Sequence, residues 1–293
     1  MRVLLTGARG LLGAAIVREF HDADVQAFGR DELDVGDEAA VADAVERTRP
    51  DVVVNCAAYN DVDRAQHEAA TALRVNALGV LALARAARRA GAVLVHYSTD
   101  FVFDGETDRP YTEEDPPNPR SLYATSKLLG DWFARDATRA YVLRVDSLFG
   151  HPGPNGARRG SLATIVDRIR SGAEVPVFID RTVSPSYTTD VARATRAVVS
   201  VEAAPGVYHC VNAGVASWAQ IAEEAARLMG LTLRMKPLTL ESAKLSAPRP
   251  RYCALSPAKL AAAGIVMPTW QDALKRYLFQ SLIPNPSSLI HHP

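Results

Sequence analysis

Lysine is scarce in this chain. Lys127, Lys236, Lys244, Lys259 and Lys275 are all of it, within 33 basic residues in total. The acidic residues also number 33, so the formal net charge is zero. That balance excludes the basic footprint of a nucleic-acid binder and the polybasic signal of a membrane-surface protein. Cysteine is equally thin. Cys56, Cys210 and Cys253 are odd in number and far apart. They exclude a disulfide framework and a thiolate metal site, and read as small buried residues of a reducing compartment. The seven histidines show no ligand spacing, so no metal is expected. No apolar stretch approaches the length of a membrane span, and Met1 to Gly7 is too short an apolar run for a signal peptide. The expectation is a cytoplasmic protein with a small-molecule ligand, no nucleic-acid or membrane partner, and room for a homodimer.

With 293 residues and 48% hydrophobic residues, the chain can build one large domain or two coupled lobes. Arg2 to Thr6 reads as a buried strand. Gly7-Ala8-Arg9-Gly10-Leu11-Leu12-Gly13 follows, then an apolar helical pattern through Phe20. Strand, Gly-x-x-Gly-x-x-Gly and helix form the context of a dinucleotide fingerprint. The first glycines allow a tight turn and close approach of a pyrophosphate. The last lets the helix pack on the strand, and the helix N-terminus favours phosphate charge.

Asp24 to Phe28 reads as the second strand. An NAD site usually places an acidic residue at its end, to hold the ribose. Here Gly29 leaves that slot empty, while Arg30 and Arg9 offer guanidinium groups. Two cations without an obvious carboxylate favour a 2′-phosphate, hence NADPH, with NADH as the alternative. Asp34 and Val35 are placed at the adenine edge. Asp51 to Asn55 is a third strand, passing into Ala57, Ala58 and Tyr59, where small residues let a flat cofactor lie against the backbone. A long Ala-rich helix, 69 to 90, contains Asn76, which must face water or satisfy a buried group.

Ala92 to Tyr97 is a fourth strand and delivers Ser98-Thr99-Asp100 at its C-terminal end, where ligands sit in open α/β sheets. A Pro- and acid-rich loop follows, then a helix with Tyr123 and Lys127 one turn apart. A neighbouring ammonium is expected to lower the phenol pKa, so that Tyr123 can give a proton to a developing alkoxide. Strands alternating with helices predict an α/β fold, a Rossmann-type doubly wound parallel sheet. Residues 1–150 form the expected dinucleotide-binding domain, which a helix at 189–201 rejoins. Residues 151–280 form the expected smaller substrate lobe, and 281–293 a loose tail.

The glycine loop, Ser98-Thr99-Asp100 and Tyr123-x-x-x-Lys127 resemble the extended short-chain dehydrogenases/reductases. Ala57-Ala58-Tyr59 with Val62-Asp63, the run Ser98 to Gly105, Ser184-Pro185-Ser186-Tyr187-Thr188 and Arg249-Pro250 are similar to the dTDP-4-dehydrorhamnose reductase branch. The resemblance implies an NADP-dependent oxidoreductase that reduces a 4-keto nucleotide sugar, foremost dTDP-4-dehydro-L-rhamnose. It implies Thr99, Tyr123 and Lys127 as the catalytic trio. It implies cofactor contacts at Gly10, Leu11, Leu12, Ala58, Tyr59 and Tyr97, and sugar-nucleotide contacts at Thr99, Asp100 and Arg249.

The chain departs from the branch near the expected sugar pocket. Ser147 stands where a Trp is usual, Ser161-Leu162 where Asn-Phe is usual, and Asn60 and Gln66 replace Thr and Glu. Two other readings stay open. One is a dehydratase or epimerase of the same superfamily, although Phe101 stands where a second acid would be needed. The other is a binding protein similar to the regulatory subunit of methionine adenosyltransferase.

Overall fold

The computed structural model describes residues 1–153 and 160–280. Its first strand, β1 (Arg2–Thr6), is buried on both faces from Val3 onward. This is why its sequence runs apolar rather than alternating. Helix α1 (Leu11–Glu19) leads to β2 (Asp24–Phe28), and α2 (Glu38–Thr48) leads to β3 (Val52–Asn55). After two short helices, α3 (Val62–Ala65) and α4 (Ala69–Leu73), α5 (Gly79–Ala90) precedes β4 (Val93–Thr99). Helix α6 (Leu122–Ala134) connects β4 to β5 (Arg139–Val145).

β1 pairs in parallel with β2 on one side and β3 on the other. The connections therefore reverse direction at β1, and a crevice opens at the C-terminal ends of β1 and β3. β4 and β5 extend the sheet, all parallel. The sixth strand, Gly206–His209, comes from far along the chain and pairs with β5. The helix Thr188–Ser200 packs on α1, burying Val191, Ala194 and Val198 against the layer that holds Ile16 and Phe20. A second apolar core joins Phe149, Leu162, Ile165, Tyr187, Ile221, Trp270 and Tyr277. The expected tail at 281–293 lies outside the described residues.

The stretch Ala69–Ala90 corrects one expectation. At 22 residues it is long and apolar enough to cross a membrane by length and composition. Its alanines produce that likeness. Half of its apolar window is buried inside the protein, and a π-helical turn at Arg74–Leu78 interrupts it. Asn76 sits in that turn, almost fully buried. It accepts from the Tyr59 amide at 2.8 Å and donates to the Tyr59 carbonyl at 3.1 Å and Ser126 Oγ at 3.0 Å. One side chain thus fastens the loop after β3 to α6.

Candidate active site

The glycine loop turns where sequence spacing places it. Gly7 has φ +69°, and a side chain there would meet the Cys56–Ala57 backbone at 2.6 Å. Gly13 presses on the Gly7 carbonyl, which a Cβ would approach to 2.3 Å. No side chain caps Gly10, so the first amides of α1 stay open to an anion. Gly10 is exposed at the crevice beside half-buried Ala57 and Ala58. These features fit a dinucleotide pyrophosphate.

Other predicted cofactor residues are spread more widely. Leu12 is buried in the core layer under β1, while Leu11 is half exposed. Val35 is buried, and Asp34 is held by Arg74 at 2.8 Å and by the Gly36 amide at 2.9 Å. Tyr59 donates its hydroxyl to Glu68 at 2.6 Å. The Tyr97 ring is buried, and its hydroxyl bonds Thr195 on the helix Thr188–Ser200. The ring therefore faces the core, and the Tyr97 carbonyl is what reaches the site.

The adenosine end shows a correction. Carboxylates absent from the slot at Gly29 come from the next turn. Arg9 pairs with Asp31 at 3.0 Å and with Glu32 at 3.2 Å, and Glu32 also accepts from the Gly29 amide at 2.5 Å. The turn folds back on β2, which spacing along the strand does not reveal. Arg30 is exposed.

At the end of β4, Thr99, Tyr123 and Lys127 come together. Ser121 caps α6 through the Ala124 amide, and Gln66 accepts from the Leu122 amide at 2.7 Å. One departure from the branch pattern therefore holds the start of the helix that carries Tyr123. The Tyr123 ring is 8% exposed and meets the Phe101 ring edge-on, with centroids 5.7 Å apart. Thr99, also buried, is its neighbour at the end of β4. Lys127, 2% exposed, donates to the Tyr97 carbonyl at 2.6 Å.

The expected pKa relation is reversed. Burial pushes the Tyr123 phenol up, and Lys127 is not among the groups that lower it. The cost falls on the ammonium, which burial pushes down to about 8. Asp131, beneath it, acts in the opposite sense and is tied to Arg144 at 3.1 Å in a buried pair. A phenol that holds its proton suits an acid in reduction.

The substrate side joins Asp100 and Arg249, both expected there, to Asp146, which sequence reading missed. Asp100 is 3% exposed; Thr99 donates to it at 2.9 Å, and Arg181 faces its other oxygen at 3.8 Å. Asp146, also buried, accepts from Ser147 Oγ at 2.7 Å and from the Ser184 amide at 2.6 Å. Ser147 has φ +42°, a strained conformation for a non-glycine residue. Arg249 donates to Asp63 at 2.8 Å and to the Ala247 carbonyl at 2.8 Å, with its guanidinium over the Phe101 ring. Asp63 links the segment around Arg249 to α3. The signal that could have flagged Asp146 was its charge among apolar neighbours at the end of β5.

The protein family described as RmlD substrate binding domain matches residues 1–283. A dTDP-4-dehydrorhamnose reductase of Streptomyces griseus is 38% identical over 286 residues, covering 93% of this chain and 91% of that protein. A protein of Streptomyces antibioticus named “Probable dTDP-4,6-dihydroxy-2-methyloxan-3-one 4-ketoreductase” is 38% identical, covering 94% of each chain. The crystal structure of a Bacillus anthracis dTDP-4-dehydrorhamnose reductase in complex with NADP superposes with a TM-score of 0.88 at 30% identity, covering 95% of this chain and 99% of that one. The expected Rossmann-type α/β fold is borne out. The chain belongs to the RmlD substrate binding domain family, among relatives named dTDP-4-dehydrorhamnose reductase.

Proposed function

We propose that this protein is an NADPH-dependent reductase of the 4-keto group of a nucleotide-linked deoxysugar, with dTDP-4-dehydro-L-rhamnose as the leading substrate. The observation that carries the reading is the buried Tyr123 phenol, beside the buried Thr99 and one turn from the buried Lys127. In this reading residues 1–150 hold the cofactor and 151–280 complete the sugar site. The bound dinucleotide supplies the hydride. Tyr123 gives its proton to the sugar O4. Thr99 hydrogen-bonds the same oxygen as negative charge grows on it. Lys127, fixed on the Tyr97 carbonyl, would hold the nicotinamide ribose. Gly7, Arg9, Gly10 and Gly13 take the phosphates and ribose. Asp100 and Arg249 face the sugar nucleotide.

The test is purified protein, with no partner, mixed with NADPH and a panel of 4-keto nucleotide sugars. Loss of NADPH absorbance with one or more of them is expected. No loss with any would remove the reading. A second substrate within the same chemistry is favoured by Ser147. Its hydroxyl is turned onto Asp146 at 2.7 Å, in the position where the branch usually has a Trp, and a smaller residue there suits a differently substituted 4-keto deoxysugar. The same panel ranks the two.

A further inference from the structure

Arg181 is a shielded guanidinium with donors to spare. It follows the strand Val175–Phe178, and its side chain is 13% exposed. The next residue, Thr182, donates its amide to the Arg251 carbonyl at 2.8 Å and accepts from the Cys253 amide at 2.8 Å, which pins the backbone there. The guanidinium itself is loosely held. Its Nη2 reaches the Cys253 thiol at 3.5 Å, and sulfur is a weak acceptor. Asp100 Oδ2 faces it at 3.8 Å, beyond direct hydrogen-bond range. Nε of Arg181 is buried with no partner, and so is Asp100 Oδ2. Unmade bonds of a shielded charge are costly. Other arginines are committed by contrast. Arg144 pairs with Asp131 at 3.1 Å, and Arg276 grips Asp190 at 2.8 and 2.6 Å. Arg249 donates to Asp63 and to the Ala247 carbonyl, each at 2.8 Å. A cation left this open suits an anion that arrives from outside.

The place of Arg181 matches the substrate. Its guanidinium carbon lies 5.1 Å from the centre of the Phe101 ring, and the Tyr123 ring meets the same ring with centroids 5.7 Å apart. The Phe101 ring thus spaces the guanidinium from the proposed proton donor. In a pyranose, C4 and C1 lie on opposite sides of the ring. A nucleotide sugar reduced at C4 therefore carries its sugar-linked phosphate a ring's width from Tyr123. We propose that Arg181 holds this sugar-linked phosphate, so that the site selects nucleoside diphosphates over monophosphates. The proposal rests on the reductase reading. Arg249, with its guanidinium carbon 5.9 Å from the same ring, is the other cation beside Phe101. The two differ in what they give up. Arg249 must release or share Asp63, whereas Arg181 releases a thiol. The planar fork of an arginine matches the oxygens of a phosphate. Asp100 holds the charge in place without taking its donors. Asp100 also accepts from Thr99 at 2.9 Å, which ties the anion site to the reacting end.

Calorimetric titration of the NADP-loaded protein with dTDP, dTMP and thymidine tests this without turnover. Wild type is expected to bind dTDP at least about tenfold more tightly than dTMP. Arg181→Gln keeps a hydrogen-bonding side chain and removes the charge. It should weaken dTDP at least about tenfold and leave dTMP within about threefold, so that the preference collapses. Affinities for thymidine and NADP should not move, as they would if Arg181 only held the fold together. Arg181→Lys keeps a point charge and loses the fork, so its preference should fall between the other two. It keeps the test alive if Arg181→Gln does not fold. Equal losses for dTDP and dTMP, or an unchanged preference in either variant, would overturn the proposal. So would a wild type that binds dTDP no better than dTMP. Oxidation of NADPH by wild type with the panel of 4-keto nucleotide sugars is scored separately. Activity with an unchanged preference in the variants strikes Arg181 alone; no activity with any sugar strikes the reductase reading, and the proposal with it.

Discussion

Lys127 is anchored on β4: its ammonium donates to the Tyr97 carbonyl at 2.6 Å, leaving Tyr123 one helical turn away to be governed by burial and Thr99. The division of labour follows. In the proposed reduction Tyr123 would keep its proton until substrate takes it, and Lys127, pushed down to about 8 by burial, is the group that would titrate.

Turnover is therefore expected to fall as pH rises through about 8, where Lys127 loses its charge. The folded protein disfavours the charged form, so the limb lies below the ordinary lysine range. Lys127→Arg stays protonated. Its pH profile of kcat/KM should lack that limb, whatever its plateau. An identical limb in the variant would assign it to another group.

Tyr123→Phe removes the proton donor and keeps the ring against Phe101. Turnover should drop roughly a hundred- to ten-thousandfold, with NADPH affinity retained. Kinetics beside a fluorescence titration of NADPH check this. Turnover within about threefold of wild type would remove Tyr123 from the chemistry.

Arg9 is shared between Asp31 and Glu32 in an exposed cluster. A 2′-phosphate must compete with these carboxylates. Arg9→Ala with Arg30→Ala should erase most of the preference for NADPH over NADH. The double change Asp31→Asn with Glu32→Gln should raise NADPH affinity by only about two- to fivefold, since exposed ion pairs are screened by water and salt. Calorimetric Kd values for NADP and NAD decide it. No change in their ratio in either variant would place the 2′-phosphate elsewhere.

Arg249 is half of the contact between α3 and the segment after Ala247. If it also takes the substrate diphosphate, Arg249→Ala should raise KM for the nucleotide sugar about ten- to a hundredfold and leave NADPH binding alone. An unchanged KM would put the diphosphate on the other side of the cleft. Arg158, Arg159, Arg181 and Arg251 are the other arginines outside the cofactor half that could take its place; the first two lie outside the described residues.

Asn76 satisfies the Tyr59 backbone and Ser126 at once. Asn76→Ala should cost at least about 2 kcal/mol of stability, because buried partners lose their bonds. Thermal unfolding measures this; an unchanged Tm would contradict the fastening role.

The sheet and the grouping of Thr99, Tyr123 and Lys127 were legible because their signals are local. Apolar runs mark the strands, glycine spacing marks the first turn, and Tyr123 and Lys127 lie one turn apart. Three things were hidden because they depend on folding at a distance. Asp31 and Glu32 reach Arg9 only after the turn folds back over β2. Asp100, Asp146 and Arg181 meet only when the ends of β4 and β5 face the loop before Ser184. The strand Met235–Leu238, paired with Val175–Phe178, contains Pro237, which hides a strand in sequence. Asn76 was visible as an anomaly, but its partners were not.

The central claim is hydride delivery to the sugar C4 with Tyr123 as proton donor. It is tested most directly with NADPH deuterated at the transferred position and dTDP-4-dehydro-L-rhamnose, with the product read by mass spectrometry and NMR. The account predicts one deuterium in the product, at C4 of the sugar, and its near-loss in Tyr123→Phe over the same time. A product labelled elsewhere, or consumption of the sugar without label, would contradict it.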